Sequence, residues 1–380
     1  MKTIYLDNAA TTRVDERVLK EMEPYFIEKY GNASSQHLKG QEAKRALDEA
    51  RHVIAKAINA KDDEIIFTSS GTESNNLALK GLFFANPNKK HIITTKIEHD
   101  CVLNACKWLE TQGVKVTYLD ADKEGFVNSD KLKKAITPET LVVSIIHGNN
   151  EIGTIQDIKE IGKICREKGV YFHTDACQSF TKTEINVKKQ NLDLVTLNAH
   201  KIHGPKGVGA LYIRNGIKIT PLLHGGGHEK GLRSSTENIP GIIGFAKAVK
   251  LAEEKHIKQM ARLRDELING ILQIPNSNLN GPKENRLCNN INVRFNNVEG
   301  EAIGGYLDAY GICSSTGSAC SSHTLEPSHV LLALGLTPLE ANSSLRLSLS
   351  RGNTEEEINK VLEVLPKIIE KLRKISPFKI

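Results

Sequence analysis

Leu197-Asn198-Ala199-His200-Lys201-Ile202-His203-Gly204-Pro205-Lys206-Gly207-Val208-Gly209 is the stretch on which the reading of this chain turns. An apolar run, Leu194 to Leu197, delivers the backbone to His200 and Lys201, and the Gly/Pro cluster then turns it into a second apolar run ending at Ile213. Lys201 therefore sits at the mouth of a strand. With His200 beside it and Lys206 five residues on, its amine has cationic company that lowers its pKa, which is what a lysine needs to form a Schiff base at neutral pH. A lone lysine in such a place also reads as a solvated loop residue, so the weight falls on what surrounds it.

Working outward, short apolar runs alternate with helical stretches from Glu64 to Ile213. The strand candidates are Ile65 to Thr68, Ile92 to Thr95, Val114 to Leu119, Leu141 to Ile146, Val170 to His173, Leu194 to Leu197 and Val208 to Ile213. Helical spacing covers Gln41 to Ile58, Glu73 to Phe84, Cys101 to Gln112, Ser129 to Ile136 and Ile158 to Lys168. Such alternation predicts an α/β fold with a mainly parallel sheet covered by helices on both faces. Ligands then belong at the carboxyl ends of the strands.

Beyond the glycine cluster Gly225-Gly226-Gly227 the pattern predicts one long helical segment, Gly241 to Ile274, crossing to a second domain. Strands follow at Ile291 to Phe295 and Leu345 to Leu349, with Val330 to Leu334 helical. The last helix has Thr354 as N-cap and Glu357 completing a capping box, and Pro366 predicts a kink or restart within it.

A chain of 380 residues suggests about two domains. Hydrophobic content of 39% with 25% charged residues belongs to globular proteins, and the net charge of +6 comes without a long basic block, so nucleic-acid binding is not expected. No apolar run approaches membrane-spanning length and the N-terminus lacks a signal-peptide core, which predicts a cytoplasmic protein. Seven cysteines, an odd number without a CxxC pair, argue against a disulfide framework and a zinc ribbon.

Four features end predicted strands. Thr68-Ser69-Ser70-Gly71-Thr72-Glu73 offers hydroxyls and free amides at a helix start, an anion cradle or an ordinary N-cap. Glu98-His99-Asp100 places a histidine that can stack on a ring, move a proton or serve structure alone. His147-Gly148-Asn149-Asn150 brings two amides that bond a phenolic oxygen or cap a turn. His173-Thr174-Asp175-Ala176-Cys177-Gln178 ends a strand on a carboxylate that requires a cationic or hydrogen-bonded partner. A phosphate cradle, an aspartate for a cationic nitrogen, a stacking histidine and a Schiff-base lysine together describe a pyridoxal phosphate site.

At these residues the chain resembles the cysteine desulfurases of the NifS/IscS group, class-V aminotransferase relatives and fold-type-I pyridoxal phosphate enzymes. The resemblance also covers Tyr5-Leu6-Asp7-Asn8-Ala9-Ala10-Thr11-Thr12, Tyr30-Gly31-Asn32-Ala33-Ser34-Ser35, His224-Gly225-Gly226-Gly227-His228-Glu229 and Ser315-Thr316-Gly317-Ser318-Ala319-Cys320. It implies a large cofactor domain over 15–255 with a mainly parallel seven-stranded sheet. A smaller α+β domain would be built from 1–14 and 256–380.

The resemblance further implies that Lys201 holds pyridoxal 5'-phosphate and acts as the base at the substrate carbon, that Asp175 keeps the pyridine nitrogen protonated, and that His99 stacks on the ring. Asn150 and Gln178 would bond the ring oxygen. Gly71, Thr72, Asn198, Ala199 and His200 would line the phosphate, joined by Thr236 from the second subunit of a homodimer, and Arg346 would take the substrate carboxylate. Cys320, in a run of small residues that predicts a mobile loop, would attack the sulfur of L-cysteine, release alanine and carry a persulfide to an iron–sulfur scaffold or other acceptor. Alternatives are a selenocysteine lyase, or a cluster-assembly platform in which Cys320 ligates iron; no other metal ligand is expected. The chain departs from the family pattern at Asn198, where serine is usual, and at Ser235, where glycine is usual. It also ends soon after Ser376-Pro377-Phe378, where many housekeeping members extend to dock a scaffold.

Overall fold

The computed structural model describes residues 3–317 and 326–376. A short strand, β1 (Ile4–Tyr5), precedes the helix α1 (Leu38–Ala57), whose buried Ala43, Ala46, Leu47, Ala50 and Ile54 recur at helical spacing on one face. Seven further strands follow: β2 (Ile65–Thr68), β3 (His91–Thr95), β4 (Lys115–Leu119), β5 (Thr140–Ser144), β6 (Tyr171–Asp175), β7 (Leu194–Asn198) and β8 (Gly209–Ile213). They hydrogen-bond in one sheet of order β2-β8-β7-β6-β5-β3-β4. Only β8 runs antiparallel to its neighbours β2 and β7; the remaining pairs are parallel. Every residue of β2, β5, β7 and β8 is buried, which is why these strands read as continuous rather than alternating apolar runs.

The connecting helices start where side chains supply the missing acceptors. Ser70 caps α2 (Gly71–Asn76), which continues through a π-turn over Leu77–Gly81 into Leu82–Ala85. His99 caps α3 (Asp100–Thr111) and Asp157 caps α4 (Ile158–Lys168), which closes on Gly169 in the left-handed conformation.

The segment expected as one long helix is two, α5 (Ile239–Lys250) and α6 (Glu254–Ile271). Arg351 explains the break: its Nη1 donates to Leu251 O at 3.0 Å, occupying a carbonyl that a continued helix would need. α6 packs on a second sheet of order β12-β10-β9, formed by β9 (Ser277–Leu279), β10 (Asn290–Phe295) and β12 (Ser344–Ser348), while β1 pairs in parallel with β11 (Ile312–Cys313). Helices α7 (Gly300–Ala309), α8 (His329–Ala333) and α9 (Glu355–Ile375), with a short helix at Pro338–Asn342, complete this part. α9 shows no restart at Pro366, since Val361, Val364, Leu365, Ile368, Ile369 and Leu372 bury one face on either side of the proline and hold the helix down. The large sheet and this second sheet have separate apolar cores, and Ile4 and Leu6 at the N-terminus belong to the second.

Candidate active site

β2, β3, β5, β6 and β7 end at one edge of the large sheet, and each is followed by a turn that carries one of the features singled out in the sequence. Asp175 closes β6 in register with Thr196 of β7, so the chain segments leading to Gln178 and to Lys201 leave the sheet side by side. Asp175 is buried, and its partners are not cations. Oδ2 accepts from Asn75 Nδ2 at 2.7 Å and Oδ1 from Cys177 N at 2.9 Å. Asn75 was not legible as a site residue: it needs the phase of α2 and the packing of that helix over β7, neither of which the strand pattern carries.

Beneath Asp175 on the same face of β6, His173 is locked between Ser144 Oγ and Thr196 Oγ1. Burial pulls its imidazole down to about 4. His99 accepts a hydrogen bond at Nδ1 from Cys101 N, so its ring proton sits on Nε2; burial, then the nearby Lys201 amine, lower its pKa and keep it neutral. The Cys101 thiol, 3.0 Å from the same nitrogen, is pushed up to about 12 by burial and is no nucleophile.

The cradle at the start of α2 has no room for a side chain. A Cβ at Gly71 would lie 2.6 Å from Cys177 Sγ and 3.7 Å from Asn198 Nδ2. Asn198 is buried with its Oδ1 unpartnered, placing the departure from serine directly against this cradle. Ser70 Oγ takes Glu73 N, leaving the first-turn amides of Gly71 and Thr72 without helical acceptors. Of the paired amides, Asn149 is structural: its Oδ1 takes Glu151 N and Ile152 N, and its Nδ2 donates to Ile97 O. Asn150, buried beside it, is held among the described residues through its carbonyl, which accepts from Asn290 and Arg346.

The small polar stretch near the N-terminus clasps the Lys201 turn. Thr12 Oγ1 donates to His200 O at 2.8 Å and accepts from His203 N, His200 Nδ1 lies 3.2 Å from Thr11 Oγ1, and Gln178 Nε2 donates to Ala9 O. Ala199 is fully buried behind it. Lys201 is half-buried and Lys206 is exposed. Arg346 is 1% exposed; its Nη2 meets Asp7 Oδ1 at 3.0 Å, its Nη1 donates to Asn150 O, and its Nε is buried without a partner. Thr236 is exposed, on a loop fastened to α2 by Arg233 and Glu73. Cys320 lies outside the described residues. Among the described residues no group of three or more His, Cys, Asp or Glu side chains is placed to hold a metal.

Two charged side chains missed in the sequence have measurable consequences. Glu229, in the Gly225–Glu229 motif, receives both terminal nitrogens of Arg51 at 2.7 Å and Phe67 N at 2.8 Å, with Arg51 11% and Glu229 3% exposed. Glu229→Ala strands that guanidinium over the Phe67 ring. It is expected to cost about 3–5 kcal/mol, read from urea denaturation midpoints.

Glu98 is fully buried; its Oε1 accepts from Thr95 Oγ1 and Ile146 N, while Oε2 has no partner. Burial raises its carboxyl to about 8, so it is neutral at pH 7. The unfolded chain ionises this group near ~4.3, so its stabilising contribution is full below that value and declines as pH rises through about 8. Glu98→Gln is expected to flatten the fall of unfolding free energy across that window, the variant gaining on the parent as pH rises.

The sequence was compared with known proteins. Residues 4–361 match the family model for class-V aminotransferases. The cysteine desulfurase IscS of Methanosarcina thermophila is 53% identical over 99% of this chain and 94% of its own length. A solved NifS-like protein superposes with a TM-score of 0.92 at 40% identity, covering 98% of this chain and all of the other. SspA, solved in complex with cysteine, gives 0.84 at 39% identity, covering 93% of this chain and all of its own.

Proposed function

The chain belongs to the class-V aminotransferase family, among its cysteine desulfurases, and from that premise we propose that it works with pyridoxal 5'-phosphate held on Lys201 and takes the sulfur of L-cysteine onto Cys320 as a persulfide. The family implies the cofactor, and the residues present fit it. Gly71 leaves a gap that any Cβ would fill, Asn198 brings its Nδ2 donor to 3.7 Å from that Cβ position, and Asp175 offers a buried carboxylate oriented by two donors. The convergence of Lys201, Asp175, His99 and Gly71 at neighbouring strand ends is the observation that carries this reading.

When bound, the cofactor supplies an aldehyde and an electron-withdrawing ring. Gly71, Thr72, Asn198, Ala199 and His200 would hold its phosphate and Asn150 and Gln178 its ring oxygen. Asp175 would keep a proton on the ring nitrogen, and neutral His99 would offer Nε2–H. Lys201 Nζ would move the proton at the substrate Cα. Arg346, with one donor unpartnered, would take the substrate carboxylate.

Ser315, in the run leading to Cys320, exchanges backbone hydrogen bonds with Arg346, which supports delivery of the thiol to the same end of the substrate. As a thiolate, Cys320 would form a bond to the substrate sulfur while the Cβ–S bond breaks, its electron pair going to Cβ, which takes up a proton so that the carbon product leaves as alanine. The persulfide then passes to an iron–sulfur scaffold or another sulfur acceptor. The exposed apolar side chains Phe26, Ile27, Tyr30 and Leu38 support a homodimer, in which Thr236 would complete the partner's cradle. Among the described residues no helix is long and apolar enough to cross a membrane. The test is the purified, cofactor-loaded protein with L-cysteine and a reductant: alanine and sulfide in equal amounts are expected, and the formation of no alanine and no sulfide overturns the proposal.

A further inference from the structure

The turn after β6 contains a second lysine that neither the sequence reading nor the mechanism uses. Lys182 Nζ donates to Gln178 O at 2.8 Å and to Lys201 O at 3.3 Å. Lys182 is half-buried on the wall of a cavity that Lys201 also lines, and no carboxylate among the described residues comes within ion-pair distance of its amine. An ammonium that gives up part of its water for carbonyl oxygens alone carries a desolvation cost, and nothing in the packing of an ordinary turn demands it. The backbone is also distorted to place it. Thr181, immediately before, has φ of 63°, a left-handed conformation that a β-branched residue adopts only when its surroundings compel it.

We propose that Lys182 is a positioning residue for the Lys201 site, its ammonium tying the turn after β6 to the turn after β7 and holding a second positive charge against the reactive amine. This rests on the reading of Lys201 as the cofactor lysine. Lys206, five residues on, is exposed to solvent, whereas Lys182 shares a cavity wall with Lys201 and bonds its carbonyl.

The groups facing the Lys201 amine are His99 before α3, Cys101 within it, Cys177 after β6 and His200 beside it, and the charge of Asp175 acts on His99 and the two thiols. Those facing Lys182 are Lys201, Cys177 and Cys288, with His203, Glu253, His256 and Arg351 lining the same cavity, and its own charge acts on His200 and His203. Both thiols are held neutral by burial, which leaves the like charges of the two lysines opposed. Burial, more than any neighbour, draws the Lys182 amine down to about 8, so the charge is present at neutral pH.

The test is a pH titration of visible absorbance in protein loaded with pyridoxal phosphate. Lys182→Met, which removes charge and donors, and Lys182→Gln, which keeps a donor without charge, are each expected to raise the titration midpoint by roughly one pH unit. Lys182→Arg is expected to keep the parent's midpoint. If Met at this position prevents folding, the glutamine variant carries the test alone. A midpoint unchanged in the uncharged variants overturns the inference. A parent that develops no visible band with pyridoxal phosphate instead overturns the reading of Lys201 on which it stands.

Discussion

Lys201→Ala is expected to abolish alanine formation from L-cysteine, with a loss of about 10⁴-fold or more, and to leave a protein that no longer forms a visible absorbance band with pyridoxal phosphate. The size follows from two roles ending together. The amine that would hold the cofactor is gone, and so is the base that would move the Cα proton, a contribution worth about 10²–10⁴ by itself. The fold should survive, because Lys201 is half-buried and the turn is held by Thr12, His200 and His203 rather than by the lysine side chain. Unfolding midpoints equal to the parent's, with colour and turnover both lost, are the expected pair of measurements. Retained turnover would place the reactive amine elsewhere.

Cys320→Ala is the second large effect and separates the chemistry at the cofactor from the capture of sulfur. Absorbance and binding of L-cysteine are expected to match the parent, because Lys201, Asp175, His99 and Arg346 all lie outside the altered run. Alanine formation should fall by about 10²-fold or more, on the scale of losing a positioned nucleophile. Mass spectrometry after a single turnover should find an added sulfur on the parent chain and none on the variant. Equal alanine from both proteins would remove Cys320 from the reaction and favour a lyase acting on selenocysteine. A parent that takes up the cofactor without yielding alanine would favour a cluster-assembly platform.

Much of the framework was readable locally. β2 and α4 begin and end where the patterning places them, because a short buried run bounded by polar turn residues and a helix closed by Gly169 each carry their own stop signals. The capping box at Thr354 and Glu357 is likewise a matter of neighbours. The strand ends place Gly71, His99, Asn150, Asp175 and Lys201 at one edge of the sheet. Where local pattern misled, a distant residue had intervened: Arg351 divides α5 from α6 by taking Leu251 O, and the buried face of α9 carries the helix past Pro366.

By itself, the sequence determined the α/β class, the strand ends that bear chemistry and the residue types available there. The tertiary structure alone decided the partners of those residues. Asp175 meets Asn75 rather than a cation, Arg346 meets Asp7, the N-terminal Thr11 and Thr12 hold His200, and the cation bonded to the Lys201 carbonyl is Lys182. The physical reason is that hydrogen bonding along a strand or helix is settled among near neighbours, whereas burial and charge pairing depend on which remote segments the packed cores bring within a few ångströms of one another.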